Sequence, residues 1–322
     1  MTAFLRARFE LVLAAALTLL PVLGVPVWAQ PKDVVLSDVV LSGDAACMLC
    51  HQHLEAKFPI LGIGKTKHGT RADKRTPTCT SCHGASETHI NPQGLSERPK
   101  PDRMFGNRSA TPAPEQDQAC LSCHQGGKRI HWLGSTHAAR DVSCTSCHQI
   151  HSGHDKVRDK RTQPEVCLGC HRDVRIQIKR PSRHPILEGK VACSDCHNPH
   201  GSAGELLMVR DTINDTCYQC HMEKRGPFVY NHQPVTEDCS ICHNPHGTIN
   251  YAMLKLRSPF LCQQCHEPGP PFLRHPGLAA SFDPSPFGFG ENTLARGCLN
   301  CHTNIHGSNN PSTAGSGRTF QR

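Results

Sequence analysis

The sequence predicts a chain of short α-helices and coil, with almost no strand and no conventional hydrophobic core. Three observations predict it. Aromatic residues make up 5% of the chain, while 26 Gly and 25 Pro are spread over its 322 residues. Helical periodicity is weak throughout, and strand-like alternation is essentially missing. All twenty cysteines fall in a single short repeat, Cys-x-x-Cys-His, which occurs ten times. A chain this poor in large apolar side chains cannot offset its ordering entropy by burying itself. It is either disordered or assembles its interior around something the polypeptide does not supply.

From the N-terminus, Arg6 and Arg8 precede the apolar run "LVLAAALTLLPVLGVPVWA", which closes on the small-residue exit Val27-Trp28-Ala29. This reads as a secretory signal peptide over residues 1–29, cut after Ala29. A membrane anchor is the alternative, but Pro21, Gly24 and Pro26 interrupt the run. No later segment approaches the ~20 apolar residues of a spanning helix. The expected compartment is the periplasm.

The repeats begin at Cys47, Cys79, Cys120, Cys144, Cys167, Cys193, Cys217, Cys239, Cys262 and Cys298, and their second cysteines are Cys50, Cys82, Cys123, Cys147, Cys170, Cys196, Cys220, Cys242, Cys265 and Cys301. An exported chain with this many cysteines could be a disulfide scaffold. Zinc ribbons and redox Cys-x-x-Cys pairs are further alternatives. None of these requires a histidine directly after the second cysteine, yet one stands there every time: His51, His83, His124, His148, His171, His197, His221, His243, His266 and His302. That spacing is the attachment signature of c-type haem. Two cysteines three residues apart share one side of a helical turn and can form thioethers to one porphyrin, and the histidine that follows is then held beneath the iron as proximal ligand. Ten covalently attached haems are expected.

Thirteen histidines remain. Read in order, they spell motif, histidine, motif, histidine five times. His68 and His89 belong to the first round, His137 and His151 to the second, His184 and His200 to the third, His232 and His246 to the fourth, and His275 and His306 to the fifth. These ten are the candidate distal ligands, and His53, His131 and His154 are spare. In "CSDCHNPHG" from Cys193 and "CSICHNPHG" from Cys239, the second histidine is too close to the first to reach the other face of the same porphyrin. It must serve a neighbour. The simplest closed scheme is a di-haem module in which the trailing histidine ligates the first haem and the middle histidine the second, with service to the next module as the alternative. Five modules result, at approximately 47–89, 120–151, 167–200, 217–246 and 262–306. The six methionines show no matching recurrence. With no axial position left open, low-spin bis-histidine haems suited to carrying electrons are expected, and no catalytic residue is assigned.

Between Cys120 and Cys262 the motifs recur every 22 to 26 residues, and the outer gaps are longer. The extra sequence, "NPQGLSERPKPDRMFGNRSATPAPE" and "FDPSPFGFGENT", reads as surface loops that serve as partner contacts or plain connectors. Residues 307–322 read as a flexible tail. A short helix is expected in "PEVCLGCHRDVRIQIK", with Pro164 in its first turn. The haems would lie in an elongated file under a thin protein sheath, and the apoprotein would not fold. After residue 29 the chain carries 33 Lys and Arg against 26 Asp and Glu. About one net negative charge per oxidised haem brings the loaded protein to about −3. Clusters such as "RDKR" and "KTKHGTRADKR" therefore suit propionates or an acidic redox partner rather than nucleic acid.

The ten motifs as a set, the "CHNPHG" phrases and the ending "CLNCHTNIHGSNNPS" resemble the decahaem cytochromes of the MtrA/DmsE/PioA type, over nearly the whole chain after residue 29. The resemblance implies a periplasm-facing conduit seated in an outer-membrane β-barrel partner. Such a conduit passes electrons between periplasmic or inner-membrane cytochromes and an extracellular multihaem cytochrome or reductase, metal oxide or Fe(II). It also implies two related five-haem halves, which cut across the third module. The bilayer's ~30 Å apolar layer is too wide for one electron step, and a coil-rich chain cannot face lipid unaided, so a barrel around a file of haems answers both. A soluble periplasmic shuttle and a multihaem redox enzyme are the competing readings.

Overall fold

The computed structural model describes residues 44–54, 60–70, 73, 75–94, 96–266, 298–300, 302–310 and 320. The expected signal peptide, His275, Cys301, the expected "FDPSPFGFGENT" loop and most of the expected tail lie outside them. Among the described residues no helix is long and apolar enough to cross a membrane.

Among the described residues the architecture is short helices and turns without strands, with only isolated antiparallel bridges, such as His197 with Met208 and His243 with Leu254. The longest described helix, Ala113–Leu121, has nine residues. The expected helix from Pro164 is split in two, Gln163–Cys167 and Arg172–Gln177, with the second cysteine and the histidine of that motif at the break. Pro164 does sit in the first turn of the first piece.

The chain buries very little of itself. The only cluster of buried apolar side chains among the described residues is Leu168, Ile178 and Ile186, with Val174 and Val191 against it. Large apolar side chains elsewhere stay open, Leu133 at 84% and Tyr251 at 89% exposure. The described residues therefore form no apolar interior capable of offsetting their own ordering.

Motifs alternate in local form. The first, third, fifth and seventh motifs fall at the ends of α-helices, in Ala45–His51, Ala113–Leu121, Gln163–Cys167 and Ile213–Tyr218, whereas the ninth opens a single turn, Cys262–Gln264. Even-numbered ones open single turns, at Cys79–His83, Cys144–Ser146, Cys193–Cys196, Cys239–Ile241 and Cys298–Asn300. One polar side chain ahead of each odd motif crosses to the even turn and takes its free N–H groups. Asp44 accepts from Cys79 N at 2.7 Å, Asp117 from Cys144 N at 2.8 Å, Gln163 from Ser194 N at 3.0 Å, Asn214 from Cys239 N at 2.7 Å, and Ser258 from Cys298 N at 2.9 Å. Asp44, Asp117, Gln163 and Asn214 are buried. A turn's leading N–H groups have no partner of their own, so this one contact both caps the turn and docks consecutive motifs.

Candidate haem-binding sites

The docking brings cysteines together. The first cysteine of each odd motif lies within hydrogen-bonding reach of the first cysteine of the next even one: Cys47 with Cys79, Cys120 with Cys144, Cys167 with Cys193, Cys217 with Cys239, and Cys262 with Cys298. From each even motif the second cysteine is near the next odd motif. Cys82 feels Cys120 and Cys123, Cys147 feels Cys170, Cys196 feels Cys217 and Cys220, and Cys242 feels Cys265. The attachment points thus follow one another in chain order, first cysteines within hydrogen-bonding reach inside a pair and the second cysteine of each even motif near the cysteines of the next odd one.

The histidines face each other in the same order. Motif histidines pair with the other candidates as follows: His51 with His89 at 6.2 Å between ring centres, His83 with His151 at 6.1 Å, His124 with His68 at 5.8 Å, and His148 with His200 at 6.1 Å. His171 pairs with His137 at 6.2 Å, His197 with His246 at 6.1 Å, His221 with His184 at 6.2 Å, His243 with His306 at 6.1 Å, and His266 with His232 at 6.1 Å. Two rings in direct contact would sit closer. A metal–nitrogen bond of about 2 Å on each side, plus about 1 Å from nitrogen to ring centre, gives about 6 Å. The donor sets fit one iron between each pair. The spare histidines stand outside these pairs: His53 lies beside Gln52, His154 beside Thr162 and Asp159, and the His131 backbone packs against Gly201.

The module scheme needs correction. Only His89 faces the first motif histidine of its own round. His68, His137, His184 and His232 face the first motif of the following round, and His151, His200, His246 and His306 face the second motif of the preceding one. The modules are therefore interlocked rather than closed. The cause is the path of the chain: the segment between two docked motifs runs forward past the pair, and the segment after them runs back.

Backbone carbonyls orient the rings. His83 Nδ1 meets Arg103 O at 2.9 Å, His89 meets Pro99 O at 2.6 Å, His137 meets Pro199 O at 2.9 Å, and His184 meets Pro245 O at 2.7 Å. His197 meets Leu206 O at 3.0 Å and His243 meets Ala252 O at 2.8 Å, the same nine-residue return made twice. Such outer partners fix the tautomer and leave Nε2 for the metal. Arg103 and Pro99 belong to the long "NPQGLSERPKPDRMFG" segment, so that stretch, expected as a surface loop, holds the first two sites instead. Burial, reinforced by neighbouring cationic groups, pushes His68, His200, His246 and His306 toward the neutral form, His200 and His306 down to about 4. A neutral imidazole is the form that donates to a metal.

The sequence reading missed the buried capping residues Asp44, Asp117, Gln163 and Asn214. Their signal was a polar side chain three or four positions before each odd motif.

Comparison with known proteins agrees with this chemistry. A doubled CXXCH motif model matches residues 184–226 and 232–270, and a model for cytochrome c-type protein NrfB-like sequences matches 79–162. The multiheme cytochrome MtrA of Shewanella baltica is 42% identical over 288 residues, covering 87% of this chain and 81% of that protein. The cytochrome c-type protein NrfB of Haemophilus influenzae is 30% identical over 164 residues, 45% of this chain and 70% of that protein. NrfB of Escherichia coli is 29% identical over 152 residues, 45% of this chain and 74% of that protein. The chain carries covalent c-type haems and is an electron carrier rather than an enzyme: it belongs to the MtrA family of multihaem c-type cytochromes.

Proposed function

We propose that the chain carries ten haems, one per motif, and conducts electrons across the outer membrane from within a β-barrel partner. It would link periplasmic or inner-membrane cytochromes to an extracellular donor or acceptor, namely a metal oxide, Fe(II), or an extracellular multihaem cytochrome or reductase. One observation carries the reading: nine facing histidine pairs and an unbroken order of neighbouring cysteines. Where bound, the haems supply the ferric/ferrous couple. The protein's part is to fix them. Cysteines anchor one edge, paired imidazoles close both faces, and the interlock keeps neighbours at a set spacing. His275 and His302 complete the tenth site in this proposal.

The intact mass of the exported protein should show ten haems. The chain and its barrel are then placed in liposomes that enclose a methyl viologen dye, with a soluble ferric compound outside. Rapid loss of the reduced dye's colour supports conduction. Colour loss no faster than with the barrel alone would overturn it.

The competing reading is a soluble periplasmic shuttle, and the NrfB-like match over residues 79–162 supports electron transfer in either reading. A holoprotein that never co-purifies with a barrel but reduces a periplasmic reductase would favour the shuttle.

A further inference from the structure

The ring partners described above are backbone carbonyl oxygens, and His200 Nδ1 meets the side-chain amide oxygen of Asn198 at 3.3 Å; His148 differs from both. His148 Nδ1 meets the carboxylate of Asp155, at 2.7 Å from Oδ2, and Asp155 Oδ1 accepts from Gln149 N at 3.2 Å. Both side chains are largely withdrawn from water, His148 at 28% and Asp155 at 18% exposure. The nearest comparison is His221 with Glu223, at 3.8 Å and with both groups more than half exposed. That separation is beyond hydrogen-bonding range.

The difference matters for the metal. An Nδ1–H that donates to a carboxylate loses part of its proton to the partner, and Nε2 becomes a stronger donor. Hydrogen bonds to an ionised acceptor are roughly twice as strong as neutral ones. A stronger donor favours the more highly charged ferric iron, and axial-ligand basicity is one of the protein's levers on haem potential. The opposite ring, His200, lies 8° from parallel to His148 and has Trp132 at its edge, 6.2 Å between ring centres. The Trp132 indole is itself held by Asp117 at 2.9 Å. The fourth site is thus held firmly from both sides.

We propose that Asp155 is a positioning residue that lowers the potential of the fourth site below that of its neighbours and so places an energetic step inside the file. Electrons entering from the first three sites meet an uphill transfer there, and the two stretches on either side equilibrate internally before they exchange. This rests on the reading that His148 and His200 hold a haem.

The test uses the full holoprotein carrying Asp155→Asn, Asp155→Glu or no change. Each is titrated electrochemically with visible absorbance and near-infrared magnetic circular dichroism as readouts. With Asp155→Asn, about one tenth of the haem signal, one site of ten, should move to higher potential. The near-infrared band of that fraction should shift as imidazolate character is lost, and Asp155→Glu should return both toward wild type. A titration that superimposes on wild type with ten haems retained would overturn the proposal. So would an Asp155→Asn protein short of one haem, which would make Asp155 merely structural. The underlying reading fails separately, if His200→Ala leaves every site low-spin.

Discussion

The carbonyl oxygen of Pro199 accepts a hydrogen bond from Nδ1 of His137 at 2.9 Å. The residues around Pro199 extend this contact to three consecutive sites. His197 faces His246 at the sixth site, His200 faces His148 at the fourth, and His137, oriented by Pro199, faces His171 at the fifth. The second "CHNPH" repeats the device: Pro245 orients His184 at the seventh site, His243 belongs to the eighth, and His246 reaches back to the sixth. Five residues thus fix three neighbouring histidine pairs relative to one another, and the phrase recurs because the same task recurs two motifs later.

It follows that His200→Ala opens the fourth site and not the fifth. Electron paramagnetic resonance of the oxidised variant should show about one tenth of the iron, one site in ten, leaving the low-spin pool. Adding His148→Ala should affect that same tenth. Adding His171→Ala should affect a second one. The closed-module scheme demands the reverse, with His200 and His171 sharing a site.

Much of this was legible in the sequence. A cysteine pair followed by histidine specifies its own chemistry through covalent reach, so the proximal positions could be read from spacing alone. The distal candidates could be read from recurrence. Which histidine faces which could not, because that depends on whether the chain between His68 and Cys79 runs forward or back, and spacing carries no direction. Nor could the role of Asp155 be read, since a carboxylate seven residues after His148 looks like any solvated acid until its position is known. The cap at Asp117 was hidden for a related reason: its partners, Cys144 N and Trp132 Nε1, lie 27 and 15 residues away.

Gly201 and Gly247, which close the two "NPHG" turns, have φ of +102° and +138°. A Cβ at Gly201 would lie 2.5 Å from His131 O, and one at Gly247 would lie 2.4 Å from Gln177 O. Backbone cannot swing aside as a side chain does. Alanine at either position should therefore cost about 1–3 kcal/mol, seen as an earlier midpoint in guanidinium titrations followed by far-ultraviolet circular dichroism. Gly134→Ala is the control, with ordinary φ and nothing within 4 Å, and should leave the midpoint in place.

Asp117→Ala should destabilise the region around the third and fourth motifs more than its size suggests. It strips the acceptor from two donors at once, Cys144 N and the buried Trp132 indole. A buried donor left without a partner costs about 1–3 kcal/mol. Hydrogen exchange resolved by peptide should show faster exchange at 132–146 in the variant, with the segment around Asn214 unchanged. Uniform acceleration along the chain would mean that the cap stabilises the whole molecule rather than one junction.

Truncation separates an interlocked chain from a string of closed modules. A chain ended after His246 keeps eight complete motifs. If each round of two motifs were self-contained, all eight irons would stay low-spin. In the arrangement described here His243 loses His306, and His232 loses His266. The seven earlier pairs are untouched, because His246 still reaches His197 and His184 still reaches His221. The exported fragment should therefore carry eight haems by mass, with about one eighth of its iron high-spin and open to cyanide. Removing one step further, after Cys220 and His221, should again open the last even site, here the sixth, because its partner His246 is gone. Two truncations that each expose one iron, always at the last complete even motif, can arise only if the fourth and fifth rounds lend their trailing histidines backward. Eight low-spin irons in the first fragment would restore the closed module.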